Sequence, residues 1–245
     1  MSSYQKIVEH IAKEEMVARL TVVRAPEEAT IGAEMLVYPD GRTDGSLGAT
    51  DLDQGAIAQA IELMKKTGSK TYPIETATGT FEVFVDVFPP PPTLLVFGAV
   101  HTAIPLVKMA KELGFRTKVI DGRSKFLTKE RFPEADELIE AWPDEAVETL
   151  KIDSNTYIVI LTHDEKFDEP ALLSTLPTEA RYIGAIGSRT TTLNRAERLK
   201  KQNISQEQLD RIHGPIGMQI GAREPAEIAV SILAEIIAVK YGLVK

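Results

Sequence analysis

Apolar positions change their period along this chain, and the changes mark its elements. From Tyr4 to Met16 they recur at helical spacing, at Ile7, Val8, Ile11 and Ala12, with Ser3 or Ser2 as cap, which predicts an opening helix. Arg19 to Arg24 and Glu34 to Tyr38 read as strands. Pro39, Asp40 and Gly41 supply the turn chemistry after them, and Asp44-Gly45-Ser46-Leu47-Gly48 is a glycine-rich bend leading to a helix over Leu52 to Lys66. Tyr72 to Glu75 and Phe81 to Phe88 close this region as strands, the second alternating aromatic and β-branched residues with polar ones. Residues 1–88 thus read as a small α+β domain.

Pro89, Pro90, Pro91 and Pro92 fit neither a helix interior nor a central strand, and predict a stiff linker over 89–92. Beyond it the pattern becomes strand, helix, strand, helix, the alternation of a parallel sheet. Thr93 to Phe97 is a continuous apolar run ending at Gly98, His101 to Leu113 is amphipathic, Gly114 stops it, and Phe115 to Ile120 is a second strand ending on Asp121. Glu137 to Ala141, Thr156 to Leu161 and Tyr182 to Ile186 are further strands. Arg189 to Gln202 and Glu224 to Tyr241 are helices, the last with Pro225 in its first turn and Ile228, Ile232, Leu233, Ile236 and Ile237 on its buried face. The fold class is therefore α/β: a Rossmann-like parallel-sheet domain over 93–245, preceded by the small α+β domain.

At 245 residues, with 43% hydrophobic and 26% charged positions, the chain is long enough for a real core and has an ordinary globular composition. A formal charge of -8 gives no general attraction to nucleic acid or anionic lipid. No window approaches the roughly 18 apolar residues of a membrane helix, so a cytoplasmic protein is expected. The absence of cysteine excludes disulfides, thiolate ligands and cysteine nucleophiles.

In an open parallel sheet, ligands bind beyond the carboxyl ends of the strands, where backbone donors and helix N-termini gather. The first strand end offers Gly98-Ala99-Val100-His101, and Asp121 stands 23 residues after Gly98, near the place of a ribose-binding acid. Val100 occupies the position of the middle glycine of a dinucleotide fingerprint, and its branched side chain crowds a pyrophosphate. Either a phosphate site or a plain tight turn fits this stretch. Thr162-His163-Asp164 and Gly187-Ser188-Arg189 end two later strands. The last three combine free N–H groups, a hydroxyl and a guanidinium at a helix start, which suits a phosphate or carboxylate as well as it suits a simple cap. His163 beside Asp164 is a candidate acid/base or a hydrogen-bonded turn histidine. The stretch from His213 to Ala222, containing Gly214, Gly217 and Gly221, reads as a ligand-covering loop or a connection whose glycines serve only the backbone. No histidine or carboxylate pair stands at metal-ligand spacing, so no metal site is expected.

Several runs together resemble the XdhC/CoxI family, accessory proteins of xanthine dehydrogenase and related molybdenum hydroxylases. They are L-L-V-F-G-A-V-H at 94–101, R-F-P-E-A-D at 131–136, L-T-H-D at 161–164, Y-I-G-A-I-G-S-R at 182–189 and H-G-P-I-G-M-Q-I-G-A-R-E-P-A-E-I-A at 213–229. M-L-V-Y-P-D-G-R-T-D-G-S-L-G at 35–48 is similar to the family's N-terminal domain. The resemblance implies a chaperone that binds molybdenum cofactor (molybdopterin), assists its sulfuration and delivers it to an apo molybdenum hydroxylase, with a cysteine desulfurase and a homodimer as further implied associations. With the strand ends and glycine loops read as its site, the candidate cofactor-binding residues are Gly98, His101, Asp121, His163, Gly187, Ser188, Arg189, Gly217 and Gly221. Two positions depart from the family pattern. Asp51 stands where the family usually has cysteine, and Val100 replaces the glycine of G-A-G-H. Two other readings stay open: a nucleotide-dependent oxidoreductase, with NAD or NADP disfavoured by Val100, and a scaffolding paralogue without ligand.

Overall fold

The computed structural model describes residues 2–66, 68–162 and 164–244, and divides into two compact units, Met1–Pro91 and Pro92–Lys245. In the first unit, α1 (Ser3–Ala12) opens on Ser2, whose hydroxyl and the Gln5 side chain form a reciprocal cap. The helix stops four residues short of Met16, because Glu14 turns into the left-handed region and Val17 already belongs to a strand. The sheet contains β1 (Val17–Arg24), β2 (Glu34–Val37), β3 (Thr43–Gly45), β4 (Ser69–Thr76) and β5 (Gly79–Phe88), in the antiparallel order β3-β2-β1-β5-β4. Helix α2 (Thr50–Met64) covers one face. Period two decides which side chains meet it. Ala18, Leu20, Val22, Met35 and Val37 share a cluster with Leu52, Ala56 and Ala60 of α2, while Val17 and Leu36 point the other way to Ile7 of α1. The bend at Gly45 proves to be partly a strand: Gly45 pairs with Met35, and a Cβ there would stand 2.9 Å from the Glu34 carbonyl.

The second unit is doubly wound. Its strands are β6 (Thr93–Phe97), β7 (Arg116–Ile120), β8 (Glu137–Ile139), β9 (Thr156–Ile160), β10 (Tyr182–Ala185) and the two-residue β11 (Ile212–His213). All pairings are parallel, in the order β11-β10-β9-β6-β7-β8. Leu94, Val96, Tyr157 and Val159 face α3 (Ala103–Glu112) and α8 (Pro225–Lys240). Leu95, Phe97, Ile158 and Ile160 face the side covered by α4 (Pro143–Thr149), α5 (Glu165–Thr175) and α6 (Arg189–Lys200), with α7 (Gln206–Leu209) contributing Leu209. Burial on both faces explains the continuous apolar runs in the sequence.

Helices α4 and α5 carry no clear periodic signal, and α5 contains Pro170 in its interior. Both form because the sheet face above β9 needs covering, with Phe167, Ala171 and Leu172 buried there. On α8, Ile232, Leu233 and Ile236 are buried as expected, whereas Ile228 and Ile237 are only partly so. Among the described residues no helix is long and apolar enough to cross a membrane.

Candidate functional site

The strand order reverses between β6 and β9, which puts the ligand edge of the second unit at the carboxyl ends of β7, β6, β9 and β10. At β6, Gly98 takes φ +105° and donates its N–H to the Ile120 carbonyl at 2.8 Å. A Cβ on Gly98 would lie 2.5 Å from the Thr162 methyl, so glycine is required where β6 and β9 close on each other. Asp121, at the end of β7, is wholly buried. Its Oδ2 accepts the Ala99 N–H at 2.8 Å, and both oxygens are gripped by Arg123, through Nε to Oδ1 and Nη2 to Oδ2, each at 2.8 Å. Burial alone would push this carboxyl up, but the guanidinium and the two N–H groups of Ala99 and Arg123 hold it below its ordinary value. Arg131 fixes the same turn from the other side, donating to the Ala99 carbonyl at 2.9 Å. Val100 is half-buried against the core, and His101 is exposed.

A second network lies below the β9 and β10 ends. The Thr162 hydroxyl donates to Asp168, and Arg195 Nη2 donates to Asp168 at 3.3 Å and to the Ile186 carbonyl at 2.8 Å. Arg195 is 2% exposed, and among the described residues its Nε and Nη1 meet no hydrogen-bond partner. This strut ties α5 and α6 to the turn that carries Gly187.

The third part is a cavity of about 200 Å³ at the end of β10, lined by Ile186, Gly187, Ile216, Gly217, Gly221 and Ser231 among others. Ser188 caps α6, its Oγ accepting the Thr191 N–H at 3.1 Å, and Arg189 is exposed in the first turn. The loop from His213 to Ala222 is held down on α8: the Gly217 N–H donates to Glu235 at 2.9 Å and the Met218 N–H to the Ser231 carbonyl at 3.0 Å. Glu235 also accepts the Tyr182 hydroxyl, and its Oε1 stands 3.6 Å from His213 Nδ1, while the His213 and Tyr182 rings are 4.5 Å apart. Burial alone would raise the Glu235 carboxyl, yet His213, Tyr182 and Gly217 together bring it below its usual range. Burial, and then the Glu235 charge, push the Tyr182 hydroxyl well up.

Of the residues singled out from the sequence, Gly187, Gly217 and Gly221 line one cavity, with Ser188 and Arg189 adjoining in the chain. Gly98 and Asp121 meet at a different point of the edge, under the Ala99 turn, and His101 lies on its surface. His163 is outside the described residues. Sequence reasoning missed Arg123, Asp168, Arg195 and Glu235. Glu235 had a signal, an acid set among the buried isoleucines of α8; Asp168 lies in a helix with no clear period. In the first unit Asp53 shapes the glycine-rich bend, accepting the Leu47 N–H at 2.7 Å and the Ser46 hydroxyl at 2.8 Å. Asp51, in the family's cysteine position, accepts the Ala77 N–H at 3.2 Å.

A doubly wound parallel sheet with glycine turns along its carboxyl edge defines a Rossmann-type binding domain. The chain belongs to the XdhC/CoxI family: residues 94–236 match the XdhC Rossmann domain and residues 10–75 match the XdhC and CoxI family. It is 33% identical over 158 residues to a protein of Bacillus subtilis (strain 168) named as a probable xanthine dehydrogenase subunit, covering 64% of this chain and 46% of that protein. It is 27% identical over 169 residues to the molybdenum cofactor insertion chaperone PaoD of Escherichia coli (strain K12), covering 69% and 46%. Against YqeB of the same strain, named as uncharacterized, identity is 29% over 220 residues, covering 85% and 40%. The chain thus spans less than half the length of these curated relatives. A crystal structure described as a xanthine dehydrogenase from Bacillus halodurans matches with TM-score 0.58 at 21% identity, covering 100% of this chain and 97% of that one, which shows a shared fold.

Proposed function

We propose that this chain is an accessory protein that binds molybdenum cofactor and assists its maturation or insertion into a xanthine dehydrogenase-type hydroxylase. The observation that supports this reading most directly is the cavity at the end of β10, walled by the Gly187 turn and the Gly217 to Gly221 loop, in a chain whose relatives include a molybdenum cofactor insertion chaperone. The pterin's phosphate would take the N–H groups at Gly187 to Arg189, with the Arg189 guanidinium as counter-charge. At about 200 Å³ the cavity is smaller than the roughly 300–1,000 Å³ of a pocket enclosing a whole ligand, so part of the cofactor would lie along the open edge toward Gly98 and His101. His163 joins this set on its sequence motif alone. Asp121 contributes from behind, by fixing the Ala99 turn.

The function is binding and transfer rather than turnover. With no cysteine in the chain, sulfur for maturation has to come from elsewhere, and a cysteine desulfurase belongs to the reading as its source, as does a homodimer as the working state. The oxidoreductase reading loses support, because the acid that would hold a nucleotide ribose is buried and chelated by Arg123.

The test is a set of melting curves with molybdenum cofactor, molybdopterin, NAD, NADP and adenine nucleotides, since a ligand that prefers the folded state raises the midpoint. Stabilisation by the pterins is expected. A shift with nicotinamide cofactors alone overturns the proposal.

A further inference from the structure

At the opposite end of the same edge, three cations converge on one aromatic ring. After β7 the chain makes a short 3-10 turn, Ser124–Phe126. The guanidinium of Arg123 stands 4.8 Å from the centroid of the Phe126 ring, Lys125 Nζ 4.9 Å and the guanidinium of Arg131 5.7 Å. All three charges therefore lie within about one Debye length of each other, in a chain whose net charge is -8.

Among the described residues only one of the three has a carboxylate in contact, since Asp121 grips Arg123 and Asp164 adds a weaker pull at longer range. Arg131 donates to two carbonyl oxygens, of Ala99 and Phe126. Lys125 is exposed, and among the described residues neither it nor Arg131 has a carboxylate partner. A phenyl ring attracts each cation through its quadrupole, but it supplies no counter-charge. Asp121 offsets one of the three charges, and the two that remain favour an anion beside the ring.

We infer that Arg123, Lys125 and Arg131, gathered around Phe126, form a binding subsite for a phosphate group, a phosphomonoester or pyrophosphate, distinct from the β10 cavity. Two planar guanidinium groups and one mobile ammonium suit a tetrahedral anion with several charged oxygens better than a carboxylate. Arg131 also holds the Ala99 carbonyl, which places the anion beside the Gly98 turn. The subsite stands whether or not the β10 cavity takes a pterin.

The experiment is calorimetric titration of the full chain with inorganic pyrophosphate at fixed ionic strength, alongside adenosine 5′-diphosphate. Saturable one-to-one binding is expected for wild type. Lys125→Glu should weaken it at least tenfold, whereas Lys66→Glu, an exposed position of the first unit, should leave it unchanged. Lys125 is exposed and its charge rests against the Phe126 ring, so that variant should fold, and its circular dichroism checks this. Tighter binding of the diphosphate nucleotide would make a nucleotide the source of the phosphate, and equal or weaker binding would make free phosphate or pyrophosphate the source. Absence of saturable binding, or binding unchanged in Lys125→Glu, overturns the subsite. Failure of the pterin melts alone would leave it intact.

Discussion

Asp121 and Arg123, two residues apart, face each other with two parallel N–H···O contacts of 2.8 Å each, and the carboxylate involved is the one that a dinucleotide fold would turn toward a ribose. The pair converts a ligand-reading position into a brace for the Ala99 turn. Buried carboxylates with such partners are held in one geometry, because releasing either partner exposes an unsatisfied charge to low dielectric.

One consequence concerns Val100. Replacing it with glycine restores the fingerprint spacing but leaves Asp121 occupied. Val100→Gly is expected to show no NAD affinity by calorimetry, and only Val100→Gly combined with Arg123→Ala should acquire any. Millimolar or better NAD binding by the single variant would refute the brace.

Acid stability reports the same brace. Asp121 and Glu235 both titrate below their ordinary values in the fold. A carboxyl depressed by folding adds stability that is complete above its unfolded value, about 4, and is lost as pH falls through the folded value. Urea midpoints should therefore fall steeply below about pH 4. Asp121→Asn should have a lower plateau and a shallower acid limb; an unchanged acid limb would remove Asp121 as a cause.

The strut below the β9 and β10 ends makes a different prediction. Asp168→Ala leaves Arg195 buried with little more than the Ile186 carbonyl, and should cost roughly 3–5 kcal/mol in denaturant unfolding. Adding Arg195→Met removes the stranded charge, so the double variant should be more stable than Asp168→Ala alone. A double variant that is less stable would mean that Arg195 contributes mainly through packing.

At the cavity, Gly217 has φ +91°, and a Cβ would lie 2.5 Å from Ser231 Oγ and 3.2 Å from the Ile232 nitrogen. Gly217→Ala should destabilise by roughly 2–4 kcal/mol through strain and overlap, and should abolish pterin binding. Arg189→Ala should leave stability unchanged and weaken pterin binding by roughly 1.5–3 kcal/mol, the value of a charged hydrogen bond. Equal affinity in that variant would take Arg189 out of the site.

The sequence by itself determined the α/β class and most of the parallel strands. Thr93 to Phe97 and Thr156 to Leu161 are apolar at every core position, which only a sheet covered on both faces requires. The glycines at 98, 187 and 217 were legible because their positive φ or close contacts exclude a side chain. Tertiary structure alone decided that Asp121 faces inward to Arg123, that α5 forms across Pro170, and that Gly187, Gly217 and Ser231 wall a common cavity. Periodicity records which side of an element is apolar. Which polar group satisfies which depends on distances between segments that only the packed sheet and helices fix, and those distances also set the electrostatics of the site.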